Sequence, residues 1–413
     1  MVVASIDLMN GKAVQLKQGN EKVLEKDNPL ELAKEFDKYG EIAVIDLDAA
    51  LGQGDNFNII KDILKIGEVR VGGGIHSIDK AKELISLGAK KIIIGSKAFE
   101  NDKLNIKFLN ELKSAIGRNN IIIAIDAIKR EIVTKGWKHK TGIDLYFAAK
   151  ELESYCSEYL FTCVEKEGMM QGTDHETIKE LINTTKNKIT VAGGVNSVSE
   201  ILTLNQLGTD VQLGMALYKG DVSLSDAFIE CLNWKNDLLP TITNNEEGQV
   251  LMLAYSNKDS LKEAFKNNKM TYFSRSKNRL WTKGESSNHF QEIIRMRTDC
   301  DKDSILCTVK QSGVACHTGS YSCFGDKSFS LFELYDVLKD RIDNPKPGSY
   351  TAKLDDKLLR EKIMEEAEEV CEAKTKDEVI WEAADVIYFL TVLMAKNNVT
   401  YNDVIAELKR RRR

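Results

Sequence analysis

At 413 residues, with 42% hydrophobic and 29% charged side chains, the chain is too long for one ordinary domain and too apolar for a disordered one. Its net charge of −5 gives no footprint for nucleic acid, and no apolar run reaches the length of about 18 residues that a membrane span needs. The N-terminal MVVASIDLMNGK lacks the basic and apolar regions of a signal peptide. A cytoplasmic location is therefore expected, where clustered cysteines hold metal more often than they form disulfides.

From residue 1 to about 230, short apolar strands alternate with amphipathic helices: AVIDLD, EVRVGGG, KIIIGS, IIIAID, YLFTCV and KITVAGG. That alternation belongs to a parallel sheet covered by helices, and its count predicts a closed (β/α)8 barrel over residues 1–233. The segment also repeats itself at an offset of about 120 residues. VGGGIHS matches VAGGVNS, IGSKA matches LGMAL, and ASIDLMNGK matches IAIDAIKRE. Each half supplies one aspartate near a strand end, Asp7 or Asp126. Each also supplies a pair of glycine turns, Gly73–Gly74 with Gly95–Ser96 and Gly193–Gly194 with Gly214. Glycine turns that open helices bind phosphate. The predicted ligand is long, with a phosphate at each end and a carboxylate pair near its middle.

From about 235 to 325 the texture changes to hairpin-like strands, QVLMLAY and MTYFSRSKNRLWTKG, giving a mainly β domain over 234–326. Here Cys300, Cys316 and Cys323 share one stretch with His317 and with Asp299, Asp301 and Asp303. Three thiolates suit Zn²⁺ and leave a fourth position for water. On a strand, DCDKD sets the three aspartates on one face and Cys300 on the other, and such a carboxylate row suits Mg²⁺. Cys307 reads as a buried apolar residue.

From about 328 onward helical periods take over, giving an all-α domain over 327–413. Glu366 with Glu369, and Glu382 with Asp385, are i,i+3 pairs on successive helices, so two packed helices would present four carboxylates to Mg²⁺. Val386, Phe389 and Leu390 set the second pair beside an apolar face. The terminal KRRRR reads as a solvated helix end.

Three family resemblances rest on these strings. IDLMNGKAVQL, VIDLDAA, VGGGIHS, IGSKA, AIDA with TKGW, FTCVEKEG, AGGV and GMALYKG resemble the phosphoribosylformimino-aminoimidazole carboxamide ribotide isomerase of histidine biosynthesis. That resemblance implies an Amadori rearrangement in which one carboxyl protonates a ribose ring oxygen and another group moves the proton from C2. Asp7 and Asp126 would do this work, assisted by Thr162, with Trp137 near the substrate. Gln15 and His76 stand where the family has arginine, Glu167 where it has aspartate, and Met215 where a polar or basic residue is common. Lost guanidiniums weaken bidentate holding of phosphate. Two readings of the barrel therefore stay open: an active isomerase, or an inactive scaffold or regulatory domain.

YFSRSKNRLWTKGESS, with the cysteine–aspartate stretch, resembles phosphoribosyl-AMP cyclohydrolase. This implies that zinc-activated water attacks C6 of the adenine ring. It also implies His317 as a proton shuttle, substrate contacts at Ser274, Arg275, Trp281, Lys283, Gly284 and Glu285, and zinc thiols drawn from two subunits of a homodimer. Lys277 and Ser287 replace a usual arginine and glycine. The helical pattern, with GSYTAKL ahead of it, resembles phosphoribosyl-ATP pyrophosphohydrolase, which implies Mg²⁺-dependent release of pyrophosphate and substrate contacts at Ser349, Tyr350 and Thr351. The implied partners are small phosphoribosyl nucleotides and a second copy of the chain, with no nucleic acid and no membrane.

Overall fold

Eight strands run parallel and close on themselves in the computed structural model, which describes residues 1–17 and 21–411. Residues 412–413 of the KRRRR tail lie outside the described residues. The barrel strands are Val2–Met9, Ile42–Asp46, Val69–Gly72, Lys91–Ile94, Ile121–Ala124, Glu158–Thr162, Lys188–Ala192 and Asp210–Leu213, each paired with the next and the last with the first. The repeat halves are the first four and the last four strands. Ile93, Ile122, Leu160 and Ala192 form an inner apolar layer, while Ile6, Leu8, Val44, Ile92 and Ile94 pack among the helices outside. This is the side-chain alternation that a closed parallel sheet imposes.

At the N-terminal ends of the strands the barrel carries charge instead. Arg70 is 2% exposed and bonds Glu158 at 2.6 Å and Thr190 at 3.4 Å, and also pairs with Glu41. Lys91 reaches Glu158 at 2.7 Å. Buried charges persist when paired in this way, and removing one partner typically costs about 3–5 kcal/mol.

The second region is a four-stranded sheet in the order Val250–Ser256, Leu239–Asn244, Ile305–Gln311 and Gln291–Thr298, flanked by the helix Lys258–Asn267 and the hairpin Thr271–Ser274 with Arg279–Thr282. Its core draws on the barrel's last helix, Leu224–Glu230: Phe228, Ile229 and Leu232 pack with Leu251, Leu261 and Ile293. Phe228 meets Phe265 edge-on at 5.7 Å. Met1–Gly325 accordingly forms one compact unit and Asp326–Arg413 a second.

In the second unit the long helix Asp356–Glu372 packs on the long helix Lys376–Lys396, which in turn packs on Leu331–Asp343, around Leu338, Leu354, Leu359, Phe389 and Val392. Thr375 starts the second long helix with a capping box to Glu378. No helix of the described residues is long and apolar enough to cross a membrane.

Candidate active sites

A cavity of about 280 Å³ opens at the C-terminal ends of the barrel strands, the end at which barrel chemistry is built. Asp7, Asp126, Thr162, Trp137, Gly73, Gly74, Gly95, Ser96, Gly193, Gly194 and Gly214 all line it. The sequence repeat thus becomes a two-sided site. At Gly73 φ is +94° and an added Cβ would lie 2.1 Å from Asp46 O; at Gly193 φ is +86° and it would lie 2.7 Å from Glu167 Oε2. Only glycine lets the backbone pass so close while left-handed.

The carboxyls of the cavity are shifted together. Burial pushes Asp7 up to about 6, opposed by the Ser5 hydroxyl donating to it at 2.8 Å. Burial also raises Asp126, opposed by Trp137 Nε1 donating at 2.8 Å and by Thr162. Trp137 reaches that position from a turn in which Lys135, Gly136 and Trp137 are all left-handed, a conformation held only where its surroundings impose it.

Glu167 faces the same cavity, raised to about 8 by burial first and then by Asp7 and Asp126. By sequence Glu167 reads only as a replacement for aspartate; the fold makes it a member of the cavity lining. The signal available was its position in FTCVEKEG, just past Thr162. Gln15 is 2% exposed and its Nε2 has no hydrogen-bond partner among the described residues. His76 is exposed at the rim, and Met215 is buried in the wall. Lys97 and Lys135 supply the cationic side chains of the lining, which contains no arginine among the described residues.

In the second region burial, and then the neighbouring Cys316 thiol, push the Cys323 thiol up. Thr318 Oγ1 lies 3.0 Å from Cys316 Sγ and lowers that thiol's pKa; His317 Nδ1 is at 4.0 Å. Lys283 is 6% exposed and is lowered by burial, opposed by the two thiols. Cys300 is exposed and joins no cluster of three ligand atoms with the other two thiols among the described residues. Cys307 is fully buried.

The strand expected for DCDKD is absent. The Gln291–Thr298 strand ends in register with Ile305, so residues 299–304 form the connection between two strands. Asp299, Asp301 and Asp303 converge there by loop curvature, with ligand atoms within 4.8 Å of one another. Ser274 and Arg275 sit at the tip of the Thr271–Ser274 hairpin, where Arg275 stacks on Tyr255 at 3.8 Å. Trp281 packs against Tyr272, Gly284 turns beside His289, and Glu285 is paired with Arg279 at 2.7 Å.

In the helical unit Glu366, Glu382 and Asp385 offer ligand atoms within 4.8 Å of one another, and Glu369 lies near enough to raise the Glu382 carboxyl. Desolvation, then Glu369 and Asp385, raise Glu366; desolvation, then Glu369, raise Glu382. Phe389 is buried as expected beside them, but Leu390 is 42% exposed, because it turns away from the core face that Phe389 and Val392 share. Ser349 caps the short helix Tyr350–Lys353, Tyr350 is exposed, and Thr351 is buried with its hydroxyl on Tyr388 at 2.8 Å.

Residues 1–223, which hold the whole barrel cavity, match the family model described as histidine biosynthesis protein. The chain belongs to that family. Residues 252–325 match phosphoribosyl-AMP cyclohydrolase and residues 331–412 match phosphoribosyl-ATP pyrophosphohydrolase. The phosphoribosyl imidazole-4-carboxamide isomerase of Methanocaldococcus jannaschii is 41% identical over 234 residues, 55% of this chain and 97% of the relative. The histidine biosynthesis bifunctional protein HisIE of Pyrococcus furiosus is 40% identical over 207 residues, 46% of this chain and 99% of the relative. The histidine biosynthesis trifunctional protein of Saccharomyces bayanus is 36% identical over 235 residues, 56% of this chain and 29% of the relative. This member of the histidine biosynthesis family thus carries cyclohydrolase and pyrophosphohydrolase domains behind an isomerase-type barrel. The cyclohydrolase family is metal-dependent.

Proposed function

We propose that the chain carries out three consecutive steps on one phosphoribosyl nucleotide: release of pyrophosphate from phosphoribosyl-ATP, hydrolytic opening of the adenine ring of phosphoribosyl-AMP, and isomerisation of the product in the barrel. The observation that carries the third step is the trio Asp7, Asp126 and Glu167 in one cavity between two sets of glycine turns. Asp7, with a pKa of about 6, is ionised at neutral pH and takes the C2 proton. Asp126, held by Trp137, gives a proton to the ribose ring oxygen, with Thr162 beside it. Glu167, protonated up to about 8, keeps a proton in the trio. Split pKa values in one site suit paired acid and base work. The orphaned Gln15 Nε2 and the rim residue His76 would meet polar groups of the substrate in place of guanidiniums. The lack of arginine in the lining supports the second reading, a catalytically silent scaffold.

For ring opening, the donor set fits Zn²⁺ at Cys316 and Cys323, with Cys300 coming from a second copy, and Mg²⁺ at Asp299, Asp301 and Asp303. Zinc lowers the pKa of water toward 7. His317 moves the proton, and Lys283, Ser274, Arg275, Trp281, Gly284 and Glu285 form the substrate side. In the helical unit, Glu366, Glu369, Glu382 and Asp385 fit Mg²⁺, which neutralises the triphosphate. Ser349, Tyr350 and Thr351 lie ahead of these helices, with Tyr350 open to substrate. The exposed Met364, Ile380 and Trp381 suit a second copy of the chain.

The test is to supply phosphoribosyl-ATP with Mg²⁺ and Zn²⁺ and follow every product. Pyrophosphate, the ring-opened product and its isomer should accumulate in that order. Arrest at the ring-opened product, at any concentration, would make the barrel a scaffold.

A further inference from the structure

The barrel's opposite face, at the N-terminal ends of its strands, holds the neighbouring sheet. Arg297 Nη atoms donate to Asp37 O and Oδ1, both at 2.7 Å, and Arg295 lies 3.3 Å from the same carboxylate. Met296 N donates to Lys38 O at 2.7 Å. These bonds fix the strand Gln291–Thr298, which runs straight into the acidic loop. The loop itself is held by a second set. Asn233 N donates to Lys302 O at 2.8 Å, and Asn233 Nδ2 donates to Asp301 O at 3.1 Å. Lys302 Nζ donates to Asn205 Oδ1 at 2.7 Å. Lys302 sits at φ +63°, a left-handed conformation that a lysine keeps only under such constraint.

Asp299, Asp301 and Asp303 repel one another when no cation lies between them, and a free loop would spread them apart. Contacts that order the loop beforehand remove that ordering cost from binding. We propose that Asn233 and Asn205, both in the barrel segment, are positioning residues for the divalent cation of the cyclohydrolase domain. Through them the barrel acts on the domain that follows it in the chain, whatever its own cavity does. The proposal rests on the reading of the acidic loop as a cation site.

The experiment uses the full chain carrying Glu366→Gln and Asp385→Asn, so that the helical acid cluster is silenced. Mn²⁺ serves as the probe, read by the spin-resonance signal of the free ion. Asn233→Ala and Asn205→Ala should each weaken Mn²⁺ binding by about 2- to 10-fold, the range expected for one hydrogen bond. In ring-opening assays each should raise the Mg²⁺ needed for half-maximal rate while leaving the rate at saturating Mg²⁺ unchanged, a split that general loss of structure would not give. Asp299→Asn is the control. If it abolishes Mn²⁺ binding while both asparagine variants bind as the parent does, the positioning role is overturned. If Asp299→Asn itself binds as the parent does, the cation reading of the loop falls and the proposal with it.

Discussion

The barrel and the open sheet bring distant groups together by different means. Eight strand ends of a closed barrel converge on one axis, so Asp7, Asp126 and Glu167, from separate strands and loops, meet in one cavity within one chain. A four-stranded sheet has two edges and no axis. Its Cys316–Cys323 pair and Cys300 stay apart in a single copy, although the Asp299, Asp301 and Asp303 carboxylates converge. Closure lets one chain finish a site; an open sheet leaves ligand sets that, under the proposed reading, a second copy must complete.

The sharpest break in this comparison comes from single changes. Cys316→Ser should remove zinc and ring opening altogether while leaving pyrophosphate release at the parent rate. Metal analysis and accumulation of phosphoribosyl-AMP check this, and normal zinc content with normal turnover would refute the thiol assignment. In the barrel, Asp7→Asn and Asp126→Asn should each lower isomerisation by about 10²- to 10⁴-fold, the usual range for acid–base groups. Purified chain given saturating ring-opened substrate provides the measurement, and turnover surviving both changes would remove these aspartates as acid and base. Glu366→Gln should slow pyrophosphate release by about 10²-fold and spare ring opening when phosphoribosyl-AMP is given directly. An unchanged release rate would make the cluster a solvated helix face.

How much of this was legible in the sequence differs between the same two regions. The barrel was readable because its glycine turns and aspartates repeat, and a repeat in sequence becomes symmetry in space. Glu167 was missed because its partners, Asp7 and Asp126, come from other strands, and only closure brings them together. The buried Arg70–Glu158 pair was hidden for the same reason. DCDKD was misread as a strand because its alternation has period two. What decides its shape is the ladder register, which stops at Thr298 and Ile305, and Lys302 turning left-handed against the barrel.

The smallest effect expected is one of pH. Glu167 has a folded pKa raised to about 8 from its ordinary 4.5, and Asp7 is raised to about 6 from 3.8. The folded protein therefore binds these protons more tightly than the unfolded chain. The stability they contribute is present at low pH and is lost as pH rises, through about 6 for Asp7 and about 8 for Glu167. Urea midpoints of Met1–Gly325 unfolding should fall between pH 6 and pH 9 in the parent and fall less in Glu167→Gln. Parallel curves would show that Glu167 titrates as an ordinary carboxyl.

The contrast between a self-contained barrel and a shared sheet site is tested most directly by mixing two inactive chains. If the thiol site is shared between two copies as proposed, Cys300→Ser and Cys316→Ser would each damage both sites of a homodimer. A mixed dimer concentrates both lesions in one site and leaves the other intact. Unfolding and refolding an equimolar mixture should restore ring opening to about a quarter of the parent rate, as random pairing in a twofold dimer requires. Mixing Asp7→Asn with Asp126→Asn should restore no isomerisation. Failure of the cysteine mixture to recover, or recovery by the aspartate mixture, would contradict the account.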